Sequence, residues 1–299
     1  MIPPGRIAGA PISWGVCEVP GWGHQMTAER VLSEMRAVGL EATELGPEGF
    51  LPPERARALL EEHGLRLVAG FVPVVLHEEA ELRAGLDMVA ASADLIADLG
   101  GGVLVLAASM GREGYEGSNR LDRDGWAALG RGIGTIAARV EARGLQIALH
   151  PHHGTVVERP DDVERLLETS DVGLCLDTGH FMVGGGDPLA LARAVANRVV
   201  HVHLKDVSAA LAEQVAEGRL GYHGAVRSGL YPPLGDGDLD VATVVRTLEE
   251  SGYAGWYVLE HDEVLDHEPA DGAGPILDVR RSLGFLERAW EEVGSATRG

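Results

Sequence analysis

Residues 199–207 read VVHVHLKDV, an apolar run with two histidines and a lysine set at alternate positions. As a strand, this run places His201, His203 and Lys205 on one face, because side chains alternate with period two. Two residues of strand span about 6.6 Å, so His201 lies one layer below His203 and Lys205 stands one step beyond it. Lys205 is also the only lysine in 299 residues; every other member of the 25 Lys plus Arg is an arginine. A solvated lysine on a strand edge would be ordinary. A chain that uses arginine wherever charge alone is wanted has kept lysine here for another property.

The rest of the chain alternates short apolar runs with longer amphipathic ones. Candidate strands are 7–13, 42–45, 66–72, 103–107, 146–150, 172–177, 199–204 and 256–260. Segments with helical spacing lie at 28–38, 54–63, 79–99, 123–143, 160–169, 188–197, 241–250 and 276–290. Gly39, Gly64, Gly100, Gly144 and Gly252 stand where helices should end, since glycine takes the left-handed conformation without steric cost. Runs such as GVLVLA, LQIAL and GLCL are apolar on both faces, which suits a parallel sheet covered by helices. Eight strand–helix units in this length predict a single-domain α/β fold over residues 1–299, a (β/α)8 TIM barrel. An open doubly wound sheet is disfavoured because no glycine-rich phosphate fingerprint follows the first strand. Surplus length falls in loops after strand 4 (109–124) and after strand 7 (206–237).

Composition narrows the partners. The formal net charge of −21 argues against nucleic acid and anionic membranes, both of which need basic surface. No window has the unbroken apolar length of a membrane helix, and the first residues lack a signal-peptide pattern. Cys17 and Cys175 have neither zinc-finger spacing nor a disulfide framework. A cytoplasmic enzyme acting on a small molecule is the expectation.

Barrel active sites lie at the C-terminal ends of the strands. There strand 2 offers Glu44, strand 5 His150, His152 and His153, strand 6 Asp177 and His180, strand 7 His203 and Lys205, and strand 8 Glu260. Six of the twelve histidines fall within residues 150–203. Each group has an ordinary structural explanation: an aspartate after a strand caps a helix, and a glutamate such as Glu44 is solvated or pairs with an arginine. Convergence outweighs these, because strands 5 to 8 each bring a metal-competent residue to one rim. Imidazole with carboxylate suits Zn, Mn, Co or Fe better than Ca. The expected ligands are His150, Asp177, His203 and Glu260, with His152 and His180 as further candidates; parity leaves the choice between His150 and His152 open.

These residues resemble the xylose-isomerase-like barrel superfamily and, within it, the inosose dehydratases. The resemblance is carried by GAPISWGV (9–16), ATELGP (42–47), ALHPHHGT (148–155), LDTGH (176–180), HVHLKDV (201–207) and PPLGDGDLD (232–240). It implies one divalent metal, Mn or Co, held by Asp177, His203 and Glu260, with His150 where the isomerases have glutamate. It also implies removal of water from 2-keto-myo-inositol, a cyclic polyol ketone, in inositol catabolism. A ketose 3-epimerase or aldose–ketose isomerase is the alternative, since it uses the same metal and enediolate without a leaving group. Lys205, Glu44 and His152 are the acid–base candidates, and the lysine pKa is expected to fall beside the cation. The chain departs from the dehydratase pattern twice, with EHDEVLDHEP after strand 8 and with GFVPVV, which carries no polar group, at the end of strand 3. The 206–237 segment, bearing Tyr222, His223, Arg227 and Tyr231, is expected to cover the site. A homo-oligomer whose neighbouring chain completes that cover is an expectation of the same kind.

Overall fold

The computed structural model describes residues 5–111, 115 and 120–296, the last seven by backbone alone. Eight strands close a barrel in sequence order: β1 (Ile7–Gly9), β2 (Ala42–Glu44), β3 (Arg66–Val75), β4 (Val103–Ser109), β5 (Gln146–Leu149), β6 (Gly173–Asp177), β7 (Val199–Leu204) and β8 (Tyr257–Leu259). All neighbouring pairs are parallel, and β1 pairs with β8 through Ile7↔Tyr257 to Gly9↔Leu259. At that seam the Arg6 guanidinium donates to the carbonyls of Tyr253 and Gly255, both at 3.0 Å, and to Glu249 at 2.6 and 2.7 Å. The first strand thereby docks on the turn that feeds the last.

Helices α1 (Ala28–Ala37), α2 (Pro53–His63), α3 (Glu79–Asp98), α4 (Arg123–Glu141) and α5 (Pro160–Thr169) follow the first five strands. Then come α6 (Thr178–Val183), α7 (Pro188–Val195), α8 (Ala209–Ala216), α9 (Tyr222–Arg227), α10 (Val241–Glu250) and α11 (Pro275–Ala296). Local chemistry sets their ends. Pro53 opens α2 at the position where its missing N–H is harmless, and Gly64, with φ of 62°, ends it. Asp122 caps α4 by accepting from Gly125 N at 2.8 Å.

Small residues fill the barrel itself: Ala8, Ala10, Ala42, Ala69, Ala148 and Cys175 pack with Val68, Val103, Val105 and Val258. Larger residues such as Leu32, Met35, Ile96, Leu104, Ile136, Leu174 and Leu248 fill the layer between strands and helices. The bulk on the outside and the small residues inside let eight strands close while leaving room above them for the rim side chains.

The strand positions follow the sequence expectation, with three differences. β1 ends at Gly9 and turns into a short 3-10 helix at Pro11–Trp14, because Pro11 lacks the N–H a strand would use. β3 and β4 run on to Val75 and Ser109, registered side by side, and raise one wall above the rim. The segment after β7 is not a structureless loop, since α8 and α9 lie within it. The loop after β4 falls partly outside the described residues. Among them, no helix is long and apolar enough to cross a membrane.

Asp206 fixes the segment after β7. Fully buried, it accepts backbone N–H bonds from Val207 (2.9 Å), Gly235 (2.8 Å), Gly237 (3.0 Å) and Leu239 (3.0 Å). A Cβ on Gly237 would lie 2.3 Å from Asp206 Oδ1, so PPLGDGDLD is the sequence of this clasp. Asp206→Ala would strand these donors and is expected to cost about 3 kcal/mol of stability, measured by denaturant unfolding. A loss below about 1 kcal/mol would contradict this account of the clasp.

Candidate active site

The C-terminal ends of β5, β6, β7 and β8 bring His150, Asp177, His203 and Glu260 together, with one ligand-competent atom of each within 4.8 Å of the others. Asp177 does two things. Its Oδ1 caps α6 by accepting from His180 N at 2.7 Å, while its Oδ2 faces His150 Nε2 at 3.2 Å and His203 Nδ1 at 3.5 Å. One oxygen thus serves as the helix cap, and the other faces the donor cluster.

His203 lies between two carboxylates. Its Nε2 faces Glu44 Oε1 at 3.2 Å, and its Nδ1 lies 2.8 Å from Glu260 Oε2. Despite that approach, Nδ1 is buried and makes no hydrogen bond, since the angle is wrong for one. His201 lies one layer deeper, as parity requires, with Nε2 2.7 Å from the same Glu44 oxygen. Burial alone would raise the Glu44 pKa, but His203 and His201 hold it well below the usual carboxylate range. Glu44 thus reaches the site from β2 already engaged by two histidines.

Lys205 has an aliphatic stem packed against Gly179 and Tyr231 and is only 1% exposed. Its Nζ lies 2.7 Å from Asp262 Oδ1, 2.9 Å from Glu260 Oε2, 2.9 Å from His180 Nε2 and 3.5 Å from Asp177 Oδ2. Burial works against the ammonium, but Asp177, Asp262 and Glu260 outweigh it and hold the pKa well above the usual lysine range. The expected fall is not what these surroundings produce, because three carboxylates face the ammonium. Asp206 and Glu44 take no part in this: the first accepts backbone N–H groups and the second faces His201 and His203. Beside Lys205, the rings of His152 and His180 lie with centroids 3.7 Å apart, tilted by 34°. Burial, followed by the neighbouring His150 or His152 and Lys205, pushes both pKa values well below the usual histidine range. They are neutral bases beside a charged acid.

Sequence reasoning missed Asp262. It is buried, and its second oxygen accepts from Tyr222 OH at 2.7 Å. Tyr222 OH lies 3.2 Å from Tyr231 OH, which lies 3.4 Å from His180 Nδ1. Burial and the adjacent Glu260 raise the Asp262 pKa. The signal was available: Asp262 stands two residues beyond Glu260, the same step that separates Lys205 from His203. Tyr115 was also missed; its ring lies 4.3 Å from that of His152. Tyr222 and Tyr231 touch the site through Asp262 and Lys205, whereas His223 bonds the carbonyl of Trp22 at 2.8 Å and Arg227 pairs with Asp266.

Whether this rim suits a divalent cation can be judged from its own groups. Asp177, Glu260 and Asp262 face one buried ammonium and Glu44 is buried beside His201 and His203, a gathering of negative charge that is costly in a buried site unless offset. His203 Nδ1 points into the carboxylates without a hydrogen bond, while its other nitrogen faces Glu44, the arrangement typical of a metal-bound imidazole. The set fits. The strand-5 histidine that lies within this cluster is His150. Cys175 lies against His203 but is kept as a thiol, its pKa pushed up to about 11 mainly by burial.

Gly179 holds Lys205 in place, since a Cβ there would lie 2.5 Å from Lys205 Cβ and 2.9 Å from Tyr231 Cε1. Gly179→Ala is expected to lower turnover by about 10²-fold by displacing the ammonium, with circular dichroism unchanged. Normal turnover would show that the position of Lys205 is not critical.

A parallel eight-stranded barrel with this rim belongs to the class of barrel enzymes that carry acid–base and metal-competent groups at their C-terminal face. Residues 30–288 match the xylose isomerase-like TIM barrel model, and the chain belongs to that family. It is 36% identical over 270 residues to the rhizopine catabolism protein MocC of Rhizobium meliloti, covering 86% of this chain and 82% of that protein. It is 33% identical over 296 residues to an inosose dehydratase of Geobacillus kaustophilus, covering 95% and 94%. Among solved structures, an L-ribulose 3-epimerase superposes with a TM-score of 0.71 at 18% identity, over 98% of this chain and 97% of that one; this likeness is one of fold.

Proposed function

We propose that the chain is a metal-dependent hydro-lyase that removes water from a cyclic keto-polyol, with 2-keto-myo-inositol as the reference substrate. The observation that carries this reading is the pairing of a fixed, charged Lys205 with neutral His152 and His180 beside the four-residue donor set. Similarity to inosose dehydratases over nearly the whole chain supports it.

His150, Asp177, His203 and Glu260 are the residues that would hold the cation. When bound there, a divalent ion acts as a Lewis acid on a carbonyl oxygen and acidifies the neighbouring C–H. His152, neutral and held at Nδ1 2.8 Å from the carbonyl oxygen of His153, is the base for that proton. Lys205, whose ammonium lies 2.9 Å from Glu260 and 2.7 Å from Asp262, is the donor for the departing β-hydroxyl. Each positioned proton transfer contributes typically about 10²–10⁴-fold. Glu44 is assigned an orienting role, because it accepts from His201 and His203. Tyr115, Tyr222 and Tyr231 exclude water, so that the proton is not lost to solvent.

An epimerase must remove and return a proton on opposite faces of one carbon. Here the two histidines share one side of the site with an ammonium, Lys205 Nζ lying 2.9 Å from His180 Nε2, an arrangement that supplies a proton to a leaving hydroxyl. The test is to incubate Mn- or Co-loaded protein with 2-keto-myo-inositol and a panel of ketohexoses. Growth of the conjugated dione absorbance with the cyclic ketone alone is expected. Conversion of a ketohexose to an isomer, with no absorbance change on the cyclic ketone, would replace this reading with the epimerase one.

A further inference from the structure

The donor set and Lys205 occupy one half of the barrel mouth, the half built by β5 to β8. Their polar atoms are already engaged with one another. Lys205 faces three carboxylates, Asp262 accepts from Tyr222, and Glu44 faces His201 and His203. These groups can hold a ketone and a departing hydroxyl, but the remaining hydroxyls of a polyol ring need partners elsewhere. The cavity has a volume of about 550 Å³, and a few placed polar groups must fix a small ring within it.

The other half of the mouth comes from the segments after β1 to β4. Besides Glu44, the described side chains that bring a carboxylate or hydroxyl to the cavity there are Glu18, Glu48, Ser92 and Tyr115. Glu18 stands apart because it is held. Its Oε1 accepts from Tyr115 OH, and its Oε2 accepts from Cys17 Sγ at 3.6 Å. Burial and the adjacent Glu18 keep Cys17 a thiol, and therefore a donor. Cys17 is fixed in turn, since its N–H donates to Gln25 Oε1 at 2.9 Å while Gln25 donates to the carbonyl of Gly15 at 3.0 Å. Among the described residues, neither Glu48 nor Ser92 has a side-chain hydrogen bond or ion pair. Tyr115 also ties Glu18 to the chemistry, with its ring centroid 4.3 Å from that of His152 and 6.3 Å from that of Tyr222.

A carboxylate offers about four lone-pair positions. Tyr115 and Cys17 take one on each oxygen, which leaves one on each for a ligand. Two acceptors side by side match two hydroxyls on adjacent ring carbons, and hydrogen bonds to a charged acceptor are the stronger kind. We infer that Glu18 determines specificity by accepting from a vicinal pair of hydroxyls on the edge of the ring remote from the ketone. The inference rests on the reading of the site as one for cyclic keto-polyols and names the feature of them that the enzyme selects.

The test compares kcat/KM of wild type and Glu18→Gln on 2-keto-myo-inositol and on mono-deoxy ketones that each lack one hydroxyl but keep the leaving one. Glu18→Gln preserves the shape of the side chain and replaces one acceptor oxygen by a donor. It is expected to lower kcat/KM for the parent by about tenfold or more, chiefly through KM. Two ketones lacking neighbouring hydroxyls are expected to show that loss in wild type and little further loss in the variant. Tyr115→Phe, which keeps the ring beside His152 but releases Glu18, should raise KM by a smaller factor. If Glu18→Gln leaves the KM of the parent unchanged, or affects every ketone alike, the inference is overturned. Calorimetric binding of inositol and its mono-deoxy forms to the metal-loaded protein separates it from the hydro-lyase reading. If no ketone loses water but these polyols bind with the expected pattern, the hydro-lyase reading fails and the role of Glu18 stands. If the pattern is absent from binding as well, the role of Glu18 is overturned with it.

Discussion

Lys205→Arg is expected to lower turnover by at least about 10²-fold, with the barrel folded and its metal content unchanged. The substitution retains the charge and removes the ability to give up a proton, because arginine stays protonated in proteins. Lysine presents a compact ammonium that meets Asp262 at 2.7 Å, His180 at 2.9 Å and Glu260 at 2.9 Å together. If its role were only to balance these carboxylates, arginine would serve with modest loss. The measurement is steady-state turnover alongside metal analysis and circular dichroism. Near-normal turnover would assign the proton transfers to the strand-5 histidines and His180.

The second large effect concerns the donor set. Chelation is expected to abolish activity, and added Mn or Co to restore it. Asp177→Asn should reproduce the loss in a residue-specific way. Asparagine is as good a helix cap as aspartate, so the Oδ1 bond to His180 N survives. What disappears is the charge on the oxygen that faces His150, His203 and Lys205. A metal content below that of wild type, with an unchanged unfolding transition, is the expected result. Full activity in a metal-free preparation would contradict it.

Much of this architecture was legible in the sequence because barrel strands carry a simple signal. Buried parallel strands are apolar on both faces and are followed by a helix that ends in glycine, so eight units could be counted directly. Parity placed His201 beneath His203 and Lys205 beyond it, and the structure agrees. What could not be read were distances across the barrel between residues far apart in the chain. Glu44 lies more than 150 residues from His201 and His203, and nothing local says that it faces them. The direction of the Lys205 shift depends on Asp262 and Glu260 arriving from β8. The helices within 206–237 were missed because α9 has only six residues, too few for a clear periodic pattern.

The central claim is that this barrel removes water from a cyclic ketone instead of inverting a carbon beside it. The direct test is to follow 2-keto-myo-inositol by proton NMR and mass spectrometry during incubation with the metal-loaded protein in D₂O. The account predicts a product lighter by one water, with the β-hydroxyl gone and a new conjugated dione. A product that keeps every hydroxyl and differs only by deuterium and inverted configuration next to the ketone would contradict it.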